Sequence, residues 1–485
     1  MTDEEILAIY IQGPEAMLAF IHSLVDAITK SQKNSDEAMA RVKELEARIN
    51  KDSHNSSKPP STDSTYNKPK PKSLKAETGK ASGGQKGHKG TTLQQVANPD
   101  HIEPCFPDVC QGCGKDLADV SSCGFDKRQI IDAPLPKTQV WEYQSHHKVC
   151  PHCHKENVAA FPEGVEQLIQ YGNGIKSWAI YLKYYQLLPF KRLQEFFLHL
   201  LSVSLSEGSL NNWSKECHSK LEPVESFIEE QLLGSDVCHS DETGLRVQKN
   251  LYWFHVFCTA LFTLYASHKK RGKEAHNALN LLPKYTGILV HDDYSSYFGY
   301  KYLHGLCNAH HLRTLIGLFE TTGQTWTQRL ASLLRCLYRE VEAAKLKKET
   351  SLDPKRLERY VPCYEKLLSR GEKLHPKQPP DGKKGKTKQT PSYNLLIRLR
   401  ENQSSVLRFA YDFRVPFDNN QAERDIRMVK SRQKISGCFR SEAGIQQFCR
   451  IRGYVSTLRK QGHPLLPAIQ QTLQGNPFMP IPQNM

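Results

Sequence analysis

Four carboxylic acids stand where a metal-dependent site could form. Asp241 lies in "CHSDETG", within a predicted strand, and Asp292 and Asp293 directly follow the apolar run "GILVH". Glu423 lies in "FDNNQAERDIRMVK", at the predicted start of a helix. Acids at the ends of adjacent strands can share a divalent cation, and carboxylates suit Mg²⁺ or Mn²⁺. With Glu423 they would supply the three carboxylates of a two-metal phosphoryl-transfer site, whose ions stand ~3.5–4 Å apart.

The same acids also have a purely structural interpretation. Asn420 followed three residues later by Glu423 is the spacing of a capping box at a helix start. Glu423 and Arg427 are one helical turn apart and can form an ordinary surface ion pair. Asp residues after strands often serve turns and caps. The local windows therefore leave both interpretations open.

Cysteine spacing predicts a second metal site. "CQGC" supplies Cys110 and Cys113, and "CPHC" supplies Cys150 and Cys153. Two such pairs can form a tetrahedral four-thiolate zinc site, which is structural rather than catalytic. The segment "QVWEYQ" between the pairs suits a small β-ribbon. Four further residues could substitute for a misassigned ligand: Cys105, Cys123, His152 and His154.

Composition favours a polyanionic partner and an intracellular location. The 485 residues include 66 Lys and Arg against 51 Asp and Glu, a net charge of +15, which favours nucleic acid. The start "MTDEEILAIY" lacks the basic region of a signal peptide, and no apolar run is long enough for a membrane span. We therefore expect a cytoplasmic protein with no membrane partner, whose 14 cysteines are thiols or metal ligands.

Shifts in composition and pattern predict a multidomain α+β chain. A helix over 1–50, broken near Gly13, carries a short coiled-coil seam at its end: Ala38, Val42, Leu45 and Ile49. The remaining predicted segments are a flexible basic linker (51–95), a zinc-binding domain (96–158), a helical region (159–235), a sheet-containing domain (236–440) that includes helical stretches at about 309–412, and a C-terminal helical segment with a tail (441–485).

The helical region has a helix-turn-helix pattern. "LPFKRLQEFFLHLL" is followed by a short turn and by a second helix, for which Ser206 is the expected N-cap. Generic helix packing explains the pattern almost as well. Beyond it, three strands, a helix and a fourth strand ending at "GILV" predict a mixed sheet.

The order of several motifs resembles that of bacterial DDE transposases of the insertion-sequence-sixty-six family. "NSSKPPSTD" and "GGQKGHKGTTL" resemble the linker of that family, and the paired cysteines resemble its zinc-binding domain. "DETG", "HDDYSSY", "CNAHHLR" and "DNNQAERDIR" resemble successive landmarks of its catalytic domain. The resemblance implies a ribonuclease-H-like core with a helical insertion before the last acidic helix.

The resemblance also implies roles for particular residues. It assigns Asp241, Asp292 and Glu423 to the metal-binding catalytic triad. The family usually reads Asp-Gly-Tyr at the second acid, so Asp293 replaces the glycine and is an alternative ligand. The resemblance further implies two groups of residues around the triad. Those expected to support the active site are Cys307, His310 and Asn420, and those expected to bind phosphate are Arg424, Arg427, Lys430, Arg432 and Lys434.

The sequence therefore predicts a transposase that uses Mg²⁺ or Mn²⁺ for DNA cleavage and strand transfer, with structural Zn²⁺ in a separate domain. Such enzymes act as multimers, often with accessory proteins of the same mobile element, and both partners are expected here. Two alternatives remain. One is a non-enzymatic zinc-containing DNA-binding regulator, and the other is a metal-dependent nuclease of the same fold.

Overall fold

The computed structural model describes residues 3–49, 51, 55–56, 93–133, 136–379, 387 and 389–482. These residues form 15 α-helices and two β-sheets, so the chain is of mixed α and β composition. Most of the predicted linker lies outside the described residues, as does the centre of a basic stretch at 375–392. No helix among the described residues is long and apolar enough to cross a membrane.

The N-terminal segment is a pair of helices, α1 (Asp3–Ile11) and α2 (Pro14–Ile49). Gly13 between them has φ +101°, a conformation that glycine adopts without strain, and proline is favoured at a first helical position. The predicted break is therefore confirmed. The side chains of Val42, Leu45 and Ile49 are exposed, and their pairing in a coiled coil stays a prediction.

The predicted zinc-binding region contains one small hairpin. Strands β1 (His147–Val149) and β2 (Glu156–Val158) pair antiparallel on either side of the second cysteine pair. "QVWEYQ" (139–144) forms no strand, so its prediction as a ribbon was wrong. The hairpin is centred on the tight turn of the cysteine pair instead.

Four helices lie between the hairpin and the main sheet in the chain: α3 (Asn173–Tyr184), α4 (Phe190–Leu201), α5 (Glu207–Lys220) and α6 (Glu222–Leu233). Ser206 caps α5 as predicted, because its hydroxyl oxygen accepts a 3.0 Å hydrogen bond from the amide of Ser209. Leu210, Trp213 and Cys217 on α5 are buried in the core, so the inner face of this helix is fixed by packing.

The main sheet has five strands: β3 (Val237–Val247), β4 (Asn250–Cys258), β5 (Thr263–His268), β6 (Ile288–His291) and β7 (Leu303–Leu306). Their order is β5-β4-β3-β6-β7, with β3, β4 and β5 antiparallel and β6 and β7 parallel to β3. Helix α7 (Lys273–Leu279) lies between β5 and β6 in the chain. The strand patterns in the sequence do not predict β7, which is short and contains Gly305. A Cβ there would stand 2.8 Å from Val415, so glycine lets the chain pass closely.

Five helices occupy the position of the expected helical insertion, and their buried side chains contribute to a second hydrophobic core. These helices are α8 (Asn308–Thr322), α9 (Thr325–Leu346), α10 (Pro354–Leu374), α11 (Pro391–Glu401) and α12 (Gln403–Tyr411). Leucines such as Leu330, Leu334 and Leu368 are fully buried between these helices. The insertion begins after β7 and ends before the segment that contains Glu423.

Three helices complete the fold: α13 (Asn420–Ser436), α14 (Glu442–Lys460) and α15 (Leu465–Leu473). Asp425 fastens α13, since its carboxylate accepts a 2.6 Å hydrogen bond from Lys460 and a 3.2 Å bond from Thr263. Helices α3–α6, the sheet and α13–α15 contribute to one hydrophobic core. The sequence-based boundaries at 235 and 440 therefore do not coincide with breaks in packing.

Candidate functional site

The structure brings three acids from distant parts of the chain together. Asp241 lies in β3, Asp292 follows the parallel neighbour β6, and Glu423 lies in the first turns of α13, which packs on β3. The pKa of Asp241 is raised well above its usual range, mainly by burial, then by the charges of Glu242 and Asp292 and more weakly of Glu423. The site thus concentrates negative charge in a poorly solvated place.

The two adjacent acids after β6 have different surroundings. Asp292 accepts a 3.1 Å hydrogen bond from the amide of Tyr294, and burial raises its pKa. The two carboxylate oxygens of Asp293 are buried, and neither has a hydrogen-bond partner. Its nearest basic side chains belong to the insertion, with Arg398 at 3.3 Å and His311 at 3.7 Å. The charge of Asp292 raises the pKa of Asp241, whereas Asp293 lies next to side chains of the helical insertion.

The two carboxylate oxygens of Glu423 have different neighbours. Oε1 is buried, 3.9 Å from Nδ1 of His310 and 3.8 Å from the guanidinium of Arg313. Oε2 lies 3.8 Å from Arg427, which confirms the predicted contact one turn along the helix. None of these distances is a hydrogen bond. The carboxylate of Glu423 therefore lies near basic side chains but forms no hydrogen bond with them.

The predicted capping box is wrong. Helix α13 begins at Asn420 and its N-cap is Asn419, which places Glu423 one position too far along to reach back to the cap. The side chain of Asn420 donates a 2.6 Å hydrogen bond to Asp418 instead. Glu423 therefore does not take part in capping its own helix.

Asn419 is the residue that sequence reasoning missed. Its side-chain amide donates a 2.8 Å hydrogen bond to the carbonyl of Ser240, and its Oδ1 lies 2.8 Å from Nδ1 of His239. Its backbone amide donates to the sulfur of Cys307 at 3.2 Å. Asn419 thereby joins the start of α13 to both β3 and the insertion. Its partners are more than 100 residues away in the chain, so no local pattern indicated them.

A second buried contact supports the opposite side of β3. Glu242 is buried and accepts a 2.8 Å hydrogen bond from Nε of Arg271, together with a hydrogen bond from the hydroxyl of Tyr297. Burial and the charge of Asp292 raise the pKa of Glu242. This pairing fixes the strand next to Asp241.

Cys307 and His310 lie beside Glu423. Cys307 is the N-cap residue of α8 and His310 is in its first turn. The sulfur of Cys307, a ring nitrogen of His310 and a carboxylate oxygen of Glu423 all lie within 4.8 Å of one another. Burial raises the pKa of Cys307 to about 12 and, with the charge of Arg313, lowers that of His310 to about 3. The pair therefore presents a neutral thiol and a neutral imidazole to the acid.

The cations predicted to bind phosphate do not form one surface. Arg424, Arg427 and Lys434 are exposed. Lys430 is half-buried and donates a 2.6 Å hydrogen bond to the carbonyl of Gly244. Arg432 lies nine residues beyond Glu423, roughly half a turn around the helix, and stacks 3.5 Å over the ring of Phe439. Burial lowers the pKa of Arg432 to about 10.

Both CxxC pairs form the same tight turn. The amide of Cys110 bonds to Lys115 at 2.8 Å, and that of Cys150 bonds to Lys155 at 2.9 Å. Amides within each turn lower the pKa of the first thiol, in Cys110 by Cys113 and in Cys150 by Cys153. Such turns suit thiolate ligands. Over the described ranges, the group of possible ligands lying within 4.8 Å of one another includes none of these four cysteines, so the zinc site stays a prediction.

Comparison with known proteins gives one family that spans the site. Residues 169–447, more than half of the chain, match the family model described as "Transposase IS66 family". Residues 13–94 match a family of unknown function. No curated protein matches the sequence. The solved structure titled "Drosophila P element transposase strand transfer complex" is similar over 63% of this chain and 95% of its own, at 11% identity and a TM-score of 0.29, which is too low to establish a shared fold.

Proposed function

Because the chain belongs to the IS66 family of transposases, we propose that it is a DDE transposase that cleaves DNA at the ends of a mobile element and joins them to a target. The convergence of Asp241, Asp292 and Glu423 carries this proposal. Two of these acids raise the pKa of the third, which is the electrostatic signature of carboxylates that share a small space.

The donor set fits Mg²⁺ or Mn²⁺. All three side chains offer oxygen, the ligand that these hard cations prefer, and the buried Oε1 of Glu423 has no hydrogen-bond partner. Divalent cations would offset the electrostatic repulsion between these carboxylates. Asp241, Asp292 and Glu423 would hold two such ions, which supply charge neutralisation for the attacking and leaving oxygens of phosphodiester chemistry.

The other residues of the site position the acids and the DNA. Asn419 holds the start of α13 against β3 and therefore sets the distance between Glu423 and Asp241. Arg424 and Arg427 extend from α13 into solvent beside the acids, where they would bind backbone phosphates. Neither DNA cleavage nor strand transfer requires a covalent enzyme intermediate. Water is the nucleophile in cleavage, and a DNA 3′-hydroxyl is the nucleophile in strand transfer.

We infer that the main sheet is the ribonuclease-H-like core expected from the resemblance. Supporting this are three antiparallel strands followed by two parallel ones in the order β5-β4-β3-β6-β7, and the entry of the insertion between β7 and α13. Asp241 in β3, Asp292 after β6 and Glu423 on α13 would then be its catalytic acids.

Parts outside the core would bind and assemble the DNA complex. The helices of 159–235 are proposed as a DNA-binding region, and the paired cysteines of 96–158 as a structural zinc module. The lysine-rich 51–95 segment is proposed as a backbone-tracking arm. We also propose that the chain acts as a homo-oligomer that joins two element ends, with accessory proteins of the same element, in the bacterial cytosol.

A matched pair of variants tests the assignment of Glu423. Glu423→Gln keeps the shape of the side chain and removes its charge, so we expect no detectable cleavage of an end-containing DNA while DNA binding persists. Glu358→Gln, on the exposed face of α10, makes the same chemical change away from the site and should cleave normally. Equal cleavage by both variants would reject the proposed role of Glu423.

The two alternative functions give different products. A pre-cleaved end with a free 3′-hydroxyl, incubated with target DNA and Mn²⁺, should yield joined product if the chain is a transposase. A nuclease would cleave an uncut end but join nothing. A DNA-binding regulator would do neither, while still retarding the DNA in a gel.

A further inference from the structure

A second kind of metal site adjoins the three acids. Cys307, His310 and Glu423 bring a sulfur, a nitrogen and an oxygen within 4.8 Å of one another. The pair Nδ1 of His310 and Oε1 of Glu423 is 3.9 Å apart, and both atoms are buried without a hydrogen-bond partner. Two unsatisfied polar atoms that face each other in a buried place are costly unless something binds between them.

The spacing is slightly wider than a bound zinc ion requires. With Zn–N and Zn–O distances near 2.0–2.1 Å and Zn–S near 2.3 Å, tetrahedral ligand atoms stand about 3.3–3.6 Å apart. The three ligand atoms lie within 4.8 Å of one another, and Nδ1 of His310 is 3.9 Å from Oε1 of Glu423, so the separations exceed the zinc-bound values by about 1.5 Å at most. Small side-chain rotations would therefore close the site, without movement of α8 or α13.

The ligand types favour zinc over magnesium. A thiolate and an imidazole suit zinc and its soft neighbours, whereas magnesium takes oxygen ligands. Cys307 and His310 have the spacing of a metal-binding turn, three residues apart at the start of α8. The amide of Asn419 already donates to the sulfur of Cys307, the outer hydrogen bond that supports a thiolate ligand.

Charge also favours a dication here. A thiolate and a carboxylate together neutralise Zn²⁺, and metal binding releases the thiol proton. The competing cation is Arg313, whose guanidinium is 3.8 Å from Oε1 of Glu423. Its side chain is one-quarter exposed, so it can turn toward solvent when an ion enters.

We propose that Cys307, His310 and Glu423 form a Zn²⁺ site that competes with the catalytic cations for Glu423. Once Oε1 is bound to zinc, the carboxylate is turned toward α8 and away from Asp241. Zinc then holds the enzyme in an inactive form. The competition rests on the proposed function of Glu423, whereas zinc binding itself does not.

Zinc content tests the binding directly. Full-length wild type, Cys307→Ser, His310→Gln and the control Cys336→Ser are dialysed against buffered Zn²⁺, and the zinc per chain is measured by mass spectrometry. Cys336 is an exposed thiol on α9. Wild type and the control should each hold one more zinc per chain than the other two variants. Zinc at the paired cysteines is common to all four proteins and cancels. Equal zinc content in all four would overturn the proposal.

A location-specific measurement covers the case in which a variant fails to fold. Anomalous difference density at the zinc edge is recorded from zinc-soaked crystals of the wild-type protein. A peak between Sγ of Cys307, Nδ1 of His310 and Oε1 of Glu423 supports the site. Density confined to other residues, or no density, overturns it.

Inhibition tests the competition separately. Zn²⁺ titrated into Mn²⁺-supported cleavage should inhibit wild type at a concentration at least about tenfold below that for Cys307→Ser, each relative to its own zinc-free rate. Equal inhibition would overturn the competition but not the zinc count. Absence of cleavage by zinc-free wild type would count against the proposed function, and the zinc count would still decide whether the site exists.

Discussion

The side-chain amide of Asn419 donates a 2.8 Å hydrogen bond to the carbonyl of Ser240, the residue before Asp241. This bond joins the N-terminus of α13 to the centre of β3, so it ties the helix that carries Glu423 to the strand that carries Asp241. Acids 182 positions apart in the chain are placed through a contact between their neighbours. The geometry of the site therefore depends on a residue that offers no metal ligand.

Asn419→Ala should weaken both stability and cleavage. The substitution leaves the carbonyl of Ser240 without its side-chain partner in a buried place, which lowers the free energy of unfolding by about 1–3 kcal/mol. Chemical denaturation measures this loss, and a cleavage assay below the unfolding transition measures the effect on activity. Asn420→Ala is the matched control, since that exposed side chain bonds only to Asp418 among the described residues, and its effect should stay within about 0.5 kcal/mol. Equal losses for the two variants would contradict the special role of Asn419.

Asp292→Asn and Asp293→Asn should differ in cleavage. Asp292 raises the pKa of Asp241 and is the proposed ligand, so its amide variant should not cleave. Asp293 faces Arg398 and His311, so Asp293→Asn should keep measurable cleavage while loosening the contact with the insertion. Rates at saturating Mn²⁺ compare the two. An inactive Asp293 variant beside an active Asp292 variant would reverse the choice of ligand.

Substitutions along α13 should separate DNA contacts from packing. Arg427→Ala removes an exposed cation, so we expect weaker DNA binding and a salt dependence whose slope falls by about one. Arg432→Ala removes the stacking on Phe439 and should lower the free energy of unfolding by about 0.5–2 kcal/mol, with little change in that slope. Binding titrations at several salt concentrations, with thermal melts of both variants, distinguish these effects. A decrease of about one in the salt-dependence slope for Arg432→Ala would indicate that Arg432 contacts DNA.

Two buried histidines should make the fold sensitive to acid. Burial, with the neighbouring His276, lowers the pKa of His255 to about 3, and burial lowers that of His276 to about 4. The unfolded chain binds these protons as the pH falls below about 6.5, while the folded chain does not. The contribution of these two histidines to the free energy of unfolding is therefore fully present above about pH 6.5. It falls toward pH 4, by up to about 1.4 kcal/mol per pH unit for each histidine.

His276→Phe isolates one of these contributions. A phenyl ring keeps the stacking against Tyr297, for which the ring centroids are 4.9 Å apart, but cannot take up a proton. The slope of unfolding free energy against pH, measured by denaturant titration between pH 7.5 and 5, should fall by about 1.4 kcal/mol per unit below pH 6.5. An unchanged slope would mean that His276 does not remain neutral in the folded protein.

The sequence predicted those features that depend on local pattern. The break at Gly13 and the cap at Ser206 follow from backbone preferences, and both are confirmed. Helical patterns predicted that 309–375 and 392–412 are helical, whereas the family resemblance implied that these helices form an insertion. By contrast, α13 begins one residue from the start that our capping box assumed, because Asn419 turns its side chain toward β3 rather than along its own helix.

Long-range contacts set the rest of the site, and periodicity does not encode them. Arg432 looks like another member of a basic run, yet its half-buried guanidinium lies over the buried rings of Phe439 and Phe448. The approach of Arg398 to Asp293 depends on how the insertion folds back over the sheet. The C-terminal segment looked like a separate unit, but fully buried Arg452 donates to the carbonyls of Tyr184 and Tyr185 and joins it to α3.

The most direct test of the proposed catalytic site is anomalous scattering from Mn²⁺ in crystals of the protein bound to an end-containing DNA. We expect two ions ~3.5–4 Å apart, held by Asp241, Asp292 and Glu423. Manganese bound without Glu423, or bound at Asp293 in place of Asp292, would contradict this expectation.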